Sequence, residues 1–224
     1  MNVNAQAWFA LAILALVMGV LLFLPAGTVD YWQAWTYLAI FMIASALTTS
    51  YLIRRDPALL ERRLSGGPAA EGRPAQRLIM TCTSIAFAAL LVVPSLDHRF
   101  GWSAVPTGGV VTGDVLVAIG FGLIVLVYRE NTFASATIEL AEKQRVVSSG
   151  PYSIVRHPMY ASASLYLLGT PLALASYWGF VPIGAMVPFL IWRLVDEERF
   201  LAKNLPGYAD YQKRVRHRLV PFVW

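Results

Sequence analysis

Two clusters of polar residues in this chain have the types and spacing to do chemistry. Gly150 to Tyr160 reads Gly-Pro-Tyr-Ser-Ile-Val-Arg-His-Pro-Met-Tyr, and Arg193 to Arg199 reads Arg-Leu-Val-Asp-Glu-Glu-Arg. Each borders a long apolar run. Burying a polar group without a partner costs roughly 2–7 kcal/mol, and an unpaired charge costs more, so charges at such borders require a reason. In the first cluster Pro158 forces His157 out of helical geometry and suits the first turn of the helix that follows. That helix start offers unpaired backbone N–H groups and a partial positive charge, an arrangement for a carboxylate or phosphate. Tyr152 and Tyr160 flank it, with rings that could stack on a flat or cationic ligand. In the second cluster Arg193 precedes Glu197 by four residues, so both project from one helix face and an ion pair between them is expected. A carboxylate there could hold an amine or sulfonium, and the guanidinium could clamp a carboxylate or phosphate. A plainer reading makes Arg156 a membrane-surface anchor, His157 a helix cap, and Asp196 and Glu198 solvated.

The elements that must position these clusters are apolar helices. The chain has 224 residues, 57% of them hydrophobic and 14% charged, and its mean hydropathy is +0.57. A soluble domain carries roughly a quarter of charged residues, so this composition is that of an integral membrane protein. Apolar runs recur at about 8–24, 32–53, 78–95, 110–128, 158–175 and 179–195, each set against the roughly 17–25 residues a spanning helix needs. The expected fold is therefore all-α, a membrane helical bundle of about six spans. The first run lacks the basic start and small-residue cleavage site of a secretory signal and reads as a retained span.

The net charge of +5 does not point to nucleic acid, because the basic residues follow topology. Of 18 Lys and Arg, six lie in 54–77, four in 129–157 and seven from Arg193 onward, leaving only Arg99 in the remaining connections. This alternation predicts that both termini and both polar clusters face the cytoplasm, as expected of a bacterial inner-membrane protein. A tight turn at Ser176 to Gly179 makes 158–195 an antiparallel hairpin, which would bring His157 beside Arg193 and Glu197. One cytoplasmic-side pocket, closed by this hairpin and the tail, can then be built from both clusters.

Other segments have lesser signals. Asp56 and Pro57 open a short amphipathic helix with Leu59, Leu60 and Leu64 on one side, read as lying in the membrane interface. Ser65 to Pro74 is a Gly- and Pro-rich loop. Residues 129–149 alternate polar and apolar and could shield a site from above. The chain reads as one domain, with 1–128 shaping a substrate tunnel and 129–224 forming the catalytic part. The single cysteine, Cys82, rules out an intramolecular disulfide, and His98, His157 and His217 do not have the spacing of a metal set. No metal is expected, and no feature specifies an oligomeric state.

The pattern of the last 95 residues resembles the isoprenylcysteine carboxyl methyltransferases and their phospholipid and thiol methyltransferase relatives. The resemblance rests on Gln144-Arg-Val-Val, Gly150-Pro-Tyr, Arg156-His-Pro-Met-Tyr, Arg193 with Glu197 and Glu198, and Gly207-Tyr-Ala-Asp-Tyr before Pro221. It implies an enzyme that uses S-adenosyl-L-methionine as methyl donor and takes a lipophilic acceptor from the bilayer. By the same resemblance Gln144, Val146, Val147, Tyr152, His157, Pro158, Tyr160, Glu197 and Glu198 would contact the cofactor, while Arg193 and Glu197 would carry catalysis, with Arg193 near the transferred methyl. Gln144 departs from a family position often held by His, and the N-terminal half shows no alignable match. An isoprenylcysteine-like carboxylate is the leading acceptor, with a phospholipid amine or small thiol as alternatives. A non-catalytic membrane transport or assembly protein is the rival from another class.

Overall fold

The protein is described from a computed structural model, which covers residues 2–138, 140, 141 and 144–224. Among these residues all regular structure is helical. The helices are α1 (Val3–Ala26), α2 (Trp32–Arg55), α3 (Pro57–Leu64), α4 (Pro74–Phe100), α5 (Thr107–Glu130), α6 (Pro158–Ala173), α7 (Phe180–Asn204) and α8 (Tyr208–Arg214). This bears out the expected all-α class. By length and composition α1, α2, α4 and α5 can cross a membrane. The hairpin differs in detail from the two apolar runs that announced it. With 16 residues, α6 rises only roughly 24 Å, short of the roughly 30 Å hydrocarbon core. By contrast, α7 runs past the apolar run to Asn204, so the second polar cluster lies on the helix, as the four-residue spacing of Arg193 and Glu197 predicts.

Local sequence sets the helix ends. The Asn2 side chain accepts from Ala5 N at 2.8 Å at the start of α1. The helix closes on Gly27, whose positive φ of 67° lets its N–H reach the carbonyls of Phe23 and Leu24. Asp56 accepts from Leu59 N at 2.9 Å, as its place before Pro57 predicts. Leu59 and Leu60 are buried against Leu52, Ile124 and Tyr128, so α3 lies on the bundle by its apolar side. Facing outward, Leu16, Ile43, Leu47 and Ile85 are 60–66% exposed, an apolar girdle that only a bilayer covers without penalty.

Helix packing is uneven, and that unevenness makes room for the site. At Gly113, Gly120 and Gly169 the α5 and α6 backbones touch. A Cβ on Gly113 would lie 2.2 Å from Ala173 N, and one on Gly169 would lie 2.7 Å from Gly113 O. Small residues permit this approach, which apolar packing in a membrane favours. Meanwhile α7 packs on α4 and makes few contacts with α6. The hairpin is therefore splayed, each arm held by a different neighbour.

At the turn end of the hairpin three connections interlock. Tyr31 donates its hydroxyl to Leu174 O at 2.6 Å, His98 stacks on the Tyr31 ring at 3.9 Å, and His98 Nε2 lies 3.2 Å from Asp30 O. Asp97, 2% exposed, accepts from Ser103 N at 2.7 Å and from the hydroxyls of Ser103 and Ser176. The 25–31, 101–106 and 174–179 connections thus share one end, and both polar clusters lie at the other.

Candidate functional site

The splay between α6 and α7 opens into a cavity of about 550 Å³, within the roughly 300–1,000 Å³ typical of small-molecule sites. Residues 131–138 and 144–149, which have no α-helix or strand and are called the strap below, contribute to its lining, and α8 adds Tyr208 and Tyr211. Its apolar wall includes Phe87, Ile124, Leu167, Met186 and Leu190 from α4 to α7. Its polar wall draws on both sequence clusters, as the hairpin geometry predicts.

Tyr160 is the junction between them. Its hydroxyl donates to Glu197 Oε2 at 2.7 Å and accepts from Arg193 Nε at 3.2 Å. The expected ion pair between Arg193 and Glu197 is not made. Instead the Arg193 Nη1 lies 2.7 Å from Glu71 Oε1 and 2.9 Å from Gln76 Oε1, and its Nη2 donates to Ala136 O at 2.9 Å. Three of these partners come from segments distant in sequence, the 65–73 loop, α4 and the strap. A buried guanidinium takes the partners that satisfy its planar fork, and a carboxylate on the neighbouring turn of its own helix reaches only one edge. Glu71 and Gln76 are buried at 3% and 0% exposure. The sequence offered only one sign of them, a lone acid in a Gly- and Pro-rich loop.

The two adjacent carboxylates of α7 face different environments. Glu198 turns into a cation cluster, with Arg156 Nε at 2.6 Å, His157 Nε2 at 3.2 Å and Arg218 Nε at 2.9 Å. Burial alone would raise its pKa, but the hydrogen bonds from His157, Arg156 and Arg218 outweigh burial and hold the carboxyl down at about 2. Far from being solvated, it staples the tail to the start of α6. Arg156 Nη1 also donates to the carbonyls of Val215 and Arg216, and the backbone N–H groups of Arg156 and His157 donate to His217 O and Arg218 O. Glu198 does not line the cavity, whereas Glu197 does. Glu197 accepts one side-chain hydrogen bond, from Tyr160, and no Lys, Arg or His among the described residues pairs with it.

The remaining expected residues are brought together as well. Gln144, Val146, Val147, Tyr152, His157 and Pro158 all line the cavity. Pro158 occupies the first turn of α6, behind His157 with φ −124°. Asn131 Nδ2 donates to the Tyr152 hydroxyl at 2.8 Å, and burial pushes that phenol up to about 12 despite this bond. Val146 packs with Leu205, Tyr208, Tyr211 and Val215, so the Gly207 to Tyr211 motif lies against the strap, and Tyr208 and Tyr211 line the cavity beside it. Asp196, expected at the surface, pairs instead with Arg73 at 2.7 Å and accepts from Gln76. Arg63, Asn131 and Phe133 also line the cavity without having been singled out in the sequence.

Four apolar helices long enough to cross a membrane mark an integral membrane protein, and a cavity with one polar and one apolar wall lies between its helices. Residues 109–206 match the phospholipid methyltransferase family, membrane methyltransferases that include the isoprenylcysteine carboxyl methyltransferases. The matched stretch, less than half of the chain, runs from the start of α5 past the end of α7. Over 71 residues the chain is 37% identical to the cobalt-zinc-cadmium resistance protein CzcN of Cupriavidus metallidurans. That match covers 31% of this chain and 32% of the relative, so it spans about a third of the relative's length.

Proposed function

We propose that this chain transfers a methyl group from S-adenosyl-L-methionine to a lipophilic acceptor that enters from the bilayer. The observation that carries this reading is Glu197, a half-buried carboxylate in the cavity that has a hydroxyl partner and, among the described residues, no direct ion pair. Every other acidic side chain of the surrounding network, Glu71, Asp196 and Glu198, has its arginine. A carboxylate left without a counter-charge in a partly desolvated site is suited to a cationic ligand. When bound, the cofactor would supply a methyl group on a sulfonium, a cation that the Glu197 carboxylate could face.

The protein's own work is then positioning and exclusion of water. The Tyr160 hydroxyl, held by Arg193, fixes the Glu197 oxygen it bonds. His157, Tyr152 and the strap residues Gln144, Val146 and Val147 complete the cofactor wall in this assignment, with Glu197 rather than Glu198 as the carboxylate. Arg193, held by Glu71, Gln76, Ala136 and Tyr160, keeps the catalytic side of the cavity in register. Methyl transfer is an in-line displacement, so alignment of the acceptor at roughly 3–3.5 Å in a dry site supplies most of what the enzyme must provide. The apolar wall of Phe87, Leu167, Met186 and Leu190 suits the acceptor's hydrocarbon part. An isoprenylcysteine-like carboxylate is the leading acceptor, ahead of a phospholipid amine or a thiol.

Calorimetry with S-adenosylmethionine and S-adenosylhomocysteine on the full chain in neutral detergent tests the reading. Both are expected to bind with one-to-one stoichiometry, and no binding by protein whose thermal unfolding remains cooperative would overturn it. Membranes incubated with methyl-labelled cofactor then identify the acceptor from the labelled lipid fraction.

A further inference from the structure

The cavity is lined by four arginines, and their partners differ. Arg156 is spent on Glu198 and the carbonyls of Val215 and Arg216. Arg193 is spent on Glu71, Gln76, Ala136 and Tyr160. Arg145 is exposed. Arg63, on α3, is half-buried and makes one hydrogen bond, from Nη1 to Ser135 O at 3.3 Å. Its guanidinium lies 5.5 Å over the Tyr128 ring, and among the described residues no acidic side chain pairs with it.

Arg63 and Arg193 hold the carbonyls of adjacent strap residues, Ser135 and Ala136. Successive Cα atoms are about 3.8 Å apart, so the two guanidinia clasp the strap at neighbouring points of one cavity. Four of the five N–H donors of Arg193 are taken by protein partners, which leaves one Nη2 hydrogen and no pair of parallel donors for a bidentate anion. The Arg63 fork keeps most of its five N–H donors open, and a planar fork in a partly desolvated wall matches a carboxylate or phosphate.

We infer that Arg63 receives an anionic group of the acceptor and so determines its class: an amphiphile with a carboxylate or phosphate beside the atom that is methylated, its hydrocarbon part on the apolar wall. The inference rests on the methyl-transfer reading. It moves the anion-binding role from Arg193, where the sequence put it, to an arginine of the interfacial helix. Being on the element between the bundle and the membrane surface, Arg63 would meet a headgroup entering from the bilayer before the group reaches Glu197.

The test measures binding of dodecanoate, dodecyl phosphate and dodecanol to the full chain in maltoside detergent, with S-adenosylhomocysteine as the control ligand. The parent should bind at least one anionic probe tenfold or more tightly than dodecanol, and which of the two wins separates a carboxylate from a phosphate acceptor. Arg63→Gln should lower that preference to threefold or less while S-adenosylhomocysteine affinity stays within twofold. Arg63→Lys, a point charge without the fork, should give an intermediate loss, and it decides the matter if the glutamine variant does not fold. A parent without the preference, or a preference unchanged in either variant, overturns the role of Arg63. Absence of S-adenosylhomocysteine binding in the parent overturns the methyl-transfer reading instead.

Discussion

The two ends of the α6–α7 hairpin each bury a carboxylate at a helix junction, and they use it in opposite ways. At the turn end Asp97 collects a backbone N–H and two serine hydroxyls, and it does not line the cavity between α6 and α7. At the open end Glu197 has a single tyrosine hydroxyl and faces a cavity of about 550 Å³. Its neighbour Glu198 behaves like Asp97, saturated and turned away from the space. A buried anion whose acceptor sites are filled holds structure together, because hydrogen bonds replace the water it lost. One whose sites are left open, beside a space, is held there by the fold at a cost that a ligand can offset. The contrast separates structural from functional charge without reference to residue type.

Three measurements can break or sharpen this contrast. The largest effect is expected at the turn end. Asp97→Ala leaves Ser103 N and two hydroxyls without their acceptor and should lower stability by about 3 kcal/mol, read from unfolding in detergent mixtures. Cofactor binding by the fraction that remains folded should be unchanged; a tenfold weakening would mean the two ends are coupled.

An intermediate effect is expected at Glu197. The Glu197→Gln variant keeps an acceptor for Tyr160 and removes the charge, so the unfolding transition should stay within about 0.5 kcal/mol of the parent. S-adenosylmethionine affinity should fall at least tenfold, about 1.4 kcal/mol. A loss of stability without a loss of affinity would make Glu197 another Asp97.

The smallest effect at neutral pH comes from Glu198, and acid exposes it. Its carboxyl is held at about 2 against an ordinary 4.5. A lowered native pKa gives stability that is fully present above the unfolded value and lost as pH falls toward the native one. Between pH 4.5 and 2 the tail from Val215 should therefore come loose, which limited pepsin digestion would show as early loss of the last residues. Glu198→Gln should show the same cleavage already at pH 4.5, where the parent resists.

Much of this was legible in the chain itself. Of the six apolar runs read as spans, four coincide with helices long and apolar enough to cross a membrane, since bilayer solvation forces backbone polar groups to pair within each helix. The Pro158 start of α6, the Asp56 cap of α3 and the meeting of His157 with the Arg193 to Glu198 segment followed from local stereochemistry and a tight turn. What could not be read were partnerships across long separations. The sequence favoured Arg193 with Glu197 because they are four residues apart, yet the fold offers Arg193 the carboxylate of Glu71, 122 residues away. Likewise Glu197 and Glu198 are indistinguishable in sequence. A helix turns about 100° per residue, so one faces the cavity and the other faces Arg156 and Arg218.

Hydropathy and helix-end chemistry, being properties of short segments, were therefore determined by the sequence alone: an all-helical membrane protein with two polar clusters brought together by a hairpin. The tertiary structure decided which charges are spent and which are free. That choice depends on which distant side chains a splayed pair of helices and the strap bring within hydrogen-bonding reach, and on how much water they exclude.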